Sequence, residues 1–391
     1  MSIALVGIGA SHDGGRAGDE IPGDAIVLNG DRIAWIGDTG EVRESDHERV
    51  VDVAGATVVP GLIDSHVHTT FGDYTPRQQT IGFLESYLHG GTTRVISASE
   101  VHVPGRPTTV VGVKALAVAA AQSYAHYRPS GMTVHGGSII LEPGLTRADF
   151  DEVRAGGVWL AKAGFGAFAD PMEYVPVVHA ARDAGIVVMC HTGGGSIPGS
   201  MNKIGVDALL AMHPHIAGHV NGGPTSLSAE ENERIVTEGG DIALQLVHAG
   251  NLRSANHIAE LALAQDQFDR VLIATDTPTG TGMIPLGMLR QMAEMSSLGP
   301  ITARQAVTAT TGNVATIYGI DAGRLAVGAA ADIVVLDCPI GSIADDALGA
   351  LERGDIPAVA VVVTQGELRF SRSRNTPGPL RPVAIRGENR R

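Results

Sequence analysis

Two histidines one residue apart close an apolar run, Gly61-Leu62-Ile63-Asp64-Ser65-His66-Val67-His68. Side chains on a strand repeat with a period of two, so Asp64, His66 and His68 are expected on one face. Two imidazoles side by side at the end of a buried strand make a pincer for a transition metal, with a pair of packed core histidines as the plainer, less favoured alternative. Further along, other apolar runs end in residues of the same kind. Val188-Met189-Cys190-His191 precedes Gly193-Gly194-Gly195, Ala217-Gly218-His219 precedes Asn221-Gly222-Gly223, and Ala274-Thr275-Asp276 precedes Thr277-Pro278. Val158-Trp159-Leu160-Ala161-Lys162 carries a lysine inside an otherwise apolar sequence. One strand-end His or Asp is usually a turn former. Five such ends in chain order point instead to a shared metal site. Lys162 is the odd member, because an ammonium repels a cation. Burial lowers a lysine's pKa and frees the neutral amine, which can take up carbon dioxide to become a carbamate able to bridge two metals. For an isolated lysine, pairing with a buried acid is the plainer reading.

These residues need strands that end together. Residues 1–57 read as short β-elements, with a hairpin at Asn29-Gly30 between Asp24-Ala25-Ile26-Val27-Leu28 and Arg32-Ile33-Ala34-Trp35-Ile36. From Val58 the pattern changes to strands (58–68, 92–98, 133–140, 158–164, 186–191, 216–220, 242–247 and 271–276) separated by helical stretches such as 107–126, 147–155, 171–184 and 228–238. Thr146 with Asp149 three residues on marks a helix start, and Pro171 suits a first helical turn. Eight strand–helix units predict an α/β protein, a (β/α)8 TIM barrel over residues 58–321 with its chemistry at the C-terminal ends of the strands. After a helical stretch at 302–318 the β texture returns at 331–336, 359–363 and 367–370. Residues 1–57 and 322–391 are therefore expected to combine into a small β-sandwich domain, with an extended tail from Ser371.

Composition limits the partners. The chain of 391 residues is 44% hydrophobic and 18% charged, with a formal net charge of −14 and no basic stripe, which argues against nucleic acid and anionic membranes. Two cysteines, Cys190 and Cys338, suit a reducing compartment. No apolar run approaches a membrane span, and the N-terminus lacks a signal-peptide pattern, so a soluble cytoplasmic protein is expected. Three decoys are set aside. His213-Pro214-His215 falls before a strand and reads as a surface turn. Cys190 should face away from His191 as packing. The triple glycine lacks the Lys-Ser/Thr of a phosphate loop and reads as room for a substrate.

In this order the residues resemble the amidohydrolase superfamily with a binuclear metal centre. The resemblance runs from Val59-Pro60-Gly61-Leu62-Ile63-Asp64-Ser65-His66-Val67-His68 to Gly323-Arg324-Leu325 and Ala331-Asp332-Ile333-Val334-Val335-Leu336-Asp337. It implies an α ion on His66, His68 and Asp276 and a β ion on His191 and His219, bridged by N6-carboxylated Lys162. Zinc is the expected ion, and iron or manganese would accept the same donors. Tyr74-Thr75-Pro76-Arg77-Gln78, Pro104-Gly105-Arg106-Pro107, Val134-His135-Gly136-Gly137, Ser196-Ile197-Pro198-Gly199-Ser200, Asn221-Gly222-Gly223-Pro224-Thr225 and Ser373-Arg374-Asn375-Thr376-Pro377 are similar to the enamidases within that superfamily. That likeness implies opening of a cyclic amide, 6-oxo-1,4,5,6-tetrahydronicotinate or a related carboxylated lactam, and a homo-oligomer, a tetramer by resemblance. The enamidase pattern has a bridging glutamate where this chain has Lys162, which leaves the metal and, less so, the ring open.

In such a site the attacking species is a hydroxide shared by two metals. Asp276 is the expected general base and then acid toward the leaving nitrogen. Arg77 and Arg106, on loops after the first two strands, are candidates for holding a ring carboxylate, each with the alternative of a plain surface arginine. Tyr74 and His135 are further substrate-binding candidates. Two other readings remain: a hydantoinase- or dihydropyrimidinase-like enzyme for a different ring, toward which the lysine leans, and a non-catalytic barrel scaffold.

Overall fold

The structure, a computed structural model, describes residues 2–69, 80–100, 105–195, 200–222, 227–278 and 282–387. The N-terminal segment forms six short strands, β1 (Ser2–Val6), β2 (Ala10–Ser11), β3 (Ala25–Asn29), β4 (Arg32–Gly37), β5 (Arg49–Asp52) and β6 (Thr57–Pro60). The middle of the chain contributes β7 (Leu62–Val67), β8 (Thr92–Ser97), β9 (Thr133–His135), β10 (Ser138–Ile140), β11 (Leu160–Ala163), β12 (Val187–His191), β13 (Ile216–Gly218), β14 (Ala243–Val247) and β15 (Val271–Ala274). The C-terminal segment adds β16 (Ile333–Asp337), β17 (Ala358–Thr364), β18 (Glu367–Phe370) and β19 (Ala384–Gly387).

The middle strands are parallel throughout, in two sheets ordered β7-β8-β9 and β10-β11-β12-β13-β14-β15. Only Gly136 and Gly137 separate β9 from β10, and they bend what the sequence presents as one strand. Gly137 sits at φ +92, and a Cβ there would lie 2.7 Å from the Ala117 carbonyl oxygen, so the bend needs glycine. At the other edge Val67 bridges to Thr277. Helices such as Val110–Ala125, Arg147–Ala155, Tyr174–Asp183, Ala229–Glu238 and Leu252–Ala264 lie between successive strands. One apolar residue from each of seven strands (Ile63, Ile96, Leu160, Met189, Ile216, Ala243 and Leu272) shares a buried cluster with Val314, Ala315 and Tyr318 of the helix Gly312–Tyr318. That helix forms the floor beneath the strands' interior.

The terminal segments build two five-stranded sheets, β19-β5-β1-β3-β4 and β18-β17-β16-β6-β2, which share one apolar core including Ile3, Leu5, Ile26, Val58, Ile333 and Val361. Two expectations are corrected. The expected strand 58–68 is two strands in different sheets: β6 pairs with β16, and after Gly61 the chain enters β7 beside β8. A side chain on Gly61 would strike Thr93, its Cβ falling 2.1 Å from Thr93 Oγ1. The tail is not merely extended, because Ala384–Gly387 pairs antiparallel with Arg49–Asp52. Ser373 Oγ also donates to the His89 carbonyl at 2.7 Å, and Asn375 Nδ2 to that of Ser86 at 3.0 Å.

Candidate metal centre

The alternation expected along the first strand fails at one place. The pairing of β7 with β8 shifts register between Asp64 and Val67, and Asp64 turns away from the two histidines. Its carboxylate accepts from Thr275 N at 3.0 Å, His66 N at 3.2 Å and Thr275 Oγ1 at 2.5 Å. His66 and His68 instead meet Asp276, whose Oδ1 lies 3.2 Å from His66 Nε2 and 3.5 Å from His68 Nε2. One donor atom from each of these three residues falls within 4.8 Å of the others.

The remaining expected residues converge on this cluster. Lys162 Nζ is 3.3 Å from His66 Nε2 and 3.3 Å from Met189 Sδ. The His219 ring centroid is 5.3 Å from that of His66 and 4.3 Å from that of His191, against which Phe165 packs edge-on. Four histidines and the lysine are buried, whereas the Asp276 side chain is 19% exposed, so the cluster opens at the carboxylate. Asp276 and His219 lie at φ +57 and +37, an uncommon backbone for residues other than glycine.

The protonation states suit a cation. His66 Nδ1 meets Gln245 Oε1 at 2.5 Å, and Gln245 Nε2 donates to Ser65 Oγ at 2.8 Å and the Ser65 carbonyl at 3.2 Å. That amide orientation puts the His66 proton on Nδ1 and leaves Nε2 a lone pair. Ser99 Oγ lies 3.2 Å from His68 Nδ1 in the equivalent position. Burial, with Lys162 nearby, holds His66 well below its ordinary pKa, and burial brings His219 down to about 4, so both rings favour the neutral form. Burial opposes ionisation of Asp276, yet the carboxyl lies well below its usual range, because any positive charge in the cluster, on His66 first, and a hydrogen bond from His68 favour the carboxylate. Two acceptors, His66 Nε2 and Asp276 Oδ1, therefore face each other at 3.2 Å, an arrangement that a cation between them relieves. Burial pushes Lys162 down to about 8, so about a tenth of the amine is neutral at pH 7, against far less for an exposed lysine. The donor set fits a divalent metal.

The substrate candidates fare differently. Tyr74 and Arg77 lie outside the described residues. Arg106 is partly buried in an ion pair with the fully buried Glu142, whose other oxygen accepts from Ala167 N at 2.8 Å. His135 packs edge-on against Trp159, which packs on Tyr318 at the floor. The decoys lie where expected: His213 and His215 contact Arg182 and Val188 N, and Cys190 is buried in the layer between strands and helices.

Sequence reasoning missed several contributors. Gln245 and Ser99 orient the histidines, but a Gln inside an apolar strand and a Ser after one carry no motif. Ser200 carries no signal of its own within the segment Ser196-Ile197-Pro198-Gly199-Ser200. Its Oγ is buried without a partner among the described residues, and an ideal Cβ on Gly194 would lie 2.8 Å from it and 3.1 Å from His191 Nε2. Gly193, Gly194 and Gly195 all have positive φ, Gly193 bridges to Ile204 and Gly195 N donates to the Ser200 carbonyl at 2.8 Å, so the triple glycine pairs with Ser200 and Ile204 beside His191.

Residues 57–368 match the Amidohydrolase family. The chain is 42% identical to the enamidase of Eubacterium barkeri over 98% of this chain and 100% of that protein. It is 28% identical to the imidazolonepropionase of Cutibacterium acnes, covering 87% of this chain and 91% of that one. A crystal structure of enamidase superposes with a TM-score of 0.93 at 42% identity, covering 99% of this chain and all of the other. N-acetylglucosamine-6-phosphate deacetylase from Pasteurella multocida shares the fold at a TM-score of 0.65 and 14% identity, covering 94% of this chain and 99% of that one.

Proposed function

The chain belongs to the amidohydrolase family, and from that premise we propose that it is an enamidase-like hydrolase opening a small cyclic amide. The observation that carries this reading is the convergence of His66, His68 and Asp276, within 4.8 Å, with Lys162, His191 and His219 around them. The parallel strands, the single bend between β9 and β10 and the Val67–Thr277 bridge support reading β7 to β15 as one closed (β/α)8 barrel. The two terminal sheets and their shared core support a composite β-sandwich, with the junction at Gly61.

His66, His68 and Asp276 would hold one divalent ion and His191 and His219 a second, with Lys162, as a carbamate, a ligand to both. Carbamylation joins the neutral Lys162 amine to carbon dioxide with loss of one proton, turning a repelling cation into an anionic ligand. Bound divalent ions supply Lewis acidity toward the amide carbonyl and lower the pKa of water. Zinc, iron and manganese all accept these donors. Asp276, the least buried member of the cluster, takes the proton from the attacking water and returns it to the ring nitrogen as the C–N bond breaks. His66 and His68, fixed by Gln245 and Ser99, hold the geometry within which that carboxylate works.

The substrate is assigned as 6-oxo-1,4,5,6-tetrahydronicotinate or a related carboxylated lactam, with Arg77 the cation for its carboxylate, since Arg106 is already neutralised by Glu142. The working form is assigned as a cytoplasmic homo-oligomer. No helix among the described residues is long and apolar enough to cross a membrane. Lys162 favours one second reading, a hydantoinase- or dihydropyrimidinase-like enzyme. Turnover measured on the tetrahydro-oxonicotinate, hydantoin and dihydrouracil, with metal counted per chain, separates them. The expected result is preference for the first ring and about two ions per chain. Preference for hydantoin or dihydrouracil overturns the ring assignment, and absence of bound metal with no turnover overturns the enzymatic reading.

A further inference from the structure

Asp276 does not hold its left-handed conformation by its own contacts alone. The residues on either side of it, Thr275 and Thr277, turn their hydroxyls to the layer behind the strands, where they meet each other at 2.8 Å. Thr275 Oγ1 also reaches Asp64, and Thr277 Oγ1 hydrogen-bonds the Tyr87 hydroxyl. Tyr87 comes from the helix Thr80–Leu88 and in turn accepts from Ile284 N at 3.3 Å. Asp64, Thr275, Thr277 and Tyr87 are all fully buried, so each proton must be used within the chain of groups.

The order of the protons follows from their number. The Ile284 amide can only donate to Tyr87, and each hydroxyl has one proton to give. Tyr87 therefore gives its proton to Thr277, Thr277 gives its own to Thr275, and Thr275 gives its own to Asp64. The Ile284 amide closes the far end. On the backbone, Asp276 N donates to the His66 carbonyl at 3.0 Å, His68 N to that of Thr277 at 3.0 Å, and Thr275 N to Asp64. Asp276 is thus gripped on both sides by side chains and in the middle by backbone, at a φ of +57 that the surroundings must impose.

We propose that the hydroxyl relay Tyr87–Thr277–Thr275–Asp64 is a positioning device that holds the Asp276 carboxylate against His66 and His68 in the geometry for proton transfer. None of the four side chains is assigned a contact with substrate or metal. Tyr87, on a helix far from Asp276 in sequence, acts only through Thr277. The inference rests on the role given to Asp276 above.

The test compares Thr277→Val, which keeps shape and loses the hydroxyl, with Thr277→Ser, which keeps the hydroxyl, and with Tyr87→Phe. All are assayed as full-length enzyme at saturating metal. Thr277→Val is expected to lower kcat about tenfold or more with KM within about twofold, because the lost interaction acts on the transition state and small misplacements are costly. Thr277→Ser should recover most of that loss, and Tyr87→Phe should show a smaller drop of the same kind. Hydrogen–deuterium exchange, which needs no substrate, should quicken across residues 275–278 in Thr277→Val and return toward wild type in Thr277→Ser. Wild-type kcat in Thr277→Val, or equal losses in the Val and Ser variants, overturns the relay. If the wild-type enzyme opens no cyclic amide, the functional reading fails separately, and unchanged exchange at 275–278 in Thr277→Val then overturns the relay independently.

Discussion

At the scale of single residues, the site is a balance between one cation and several acceptors. Lys162 as an ammonium sits 3.3 Å from a neutral imidazole nitrogen and competes with any metal for it. As the proposed carbamate it would become a ligand, reversing the sign of one buried charge without a change of residue. Lys162→Ala should therefore cut bound metal to well below the wild-type count, measured by plasma mass spectrometry after dialysis. Full occupancy in that variant would remove the bridging role. The metal candidates were legible because each follows an apolar run, and strand ends in such folds gather at one face. Their orienting partners were not. Gln245 matters because Ser65 fixes its amide across the strands, 180 residues away in sequence, a relation that no spacing encodes. Arg106 shows the reverse case: its loop position was legible, but its buried partner Glu142 was not.

At the scale of elements, local chemistry and glycine set the boundaries. The helix Arg147–Ala155 begins with the capping box foreseen from Thr146 and Asp149, and Lys114 adds an ion pair at 2.8 Å. Lys114, then Thr146, hold the Asp149 carboxyl down to about 2. A carboxyl whose folded pKa is depressed contributes stability that is complete above its unfolded value and is lost as pH falls through the folded one. Asp149→Ala should cost about 1 kcal/mol in urea unfolding at pH 7. That difference should shrink between about pH 4 and pH 2. A constant difference across that range would assign the loss to packing instead. Gly61, Gly136 and Gly137 were less legible as breaks, since the flanking residues all read as strand. What breaks the strands is lack of room, a backbone or side chain of another element standing where a Cβ would be.

At the scale of the whole molecule, the termini meet each other and brace the middle of the chain. The loop after β2 carries His12, whose Nδ1 accepts from Gly14 N at 2.9 Å and whose Nε2 faces Thr308 Oγ1 at 3.3 Å on the helix Ala303–Thr310. Arg304 of the same helix donates to the carbonyls of Gly18 at 2.9 Å and Ser11 at 3.1 Å. Burial, aided by Arg304, brings His12 down to about 4. The unfolded chain takes up this proton first, near pH 6.5, so the contribution of His12 is complete above that value and is lost as pH falls toward 4. Stability should accordingly fall less steeply between pH 6.5 and 4 in His12→Leu than in wild type, read from urea midpoints. Parallel curves would exclude His12 as the source.

The sequence by itself determined the alternation of strands and helices, the strand ends that carry His66, His68, Lys162, His191, His219 and Asp276, and the composite origin of the terminal sheets. These follow from hydrophobic period and residue type, which are local and survive being read in a line. Tertiary structure alone decided that Asp64 leaves the face of the histidines, that Arg106 is spent on Glu142, that β19 joins β5 and that Thr275, Thr277 and Tyr87 surround Asp276 from behind. Each of these depends on a register shift, a buried partner or a hydrogen bond between residues distant in sequence, and such relations exist only once the chain has closed on itself.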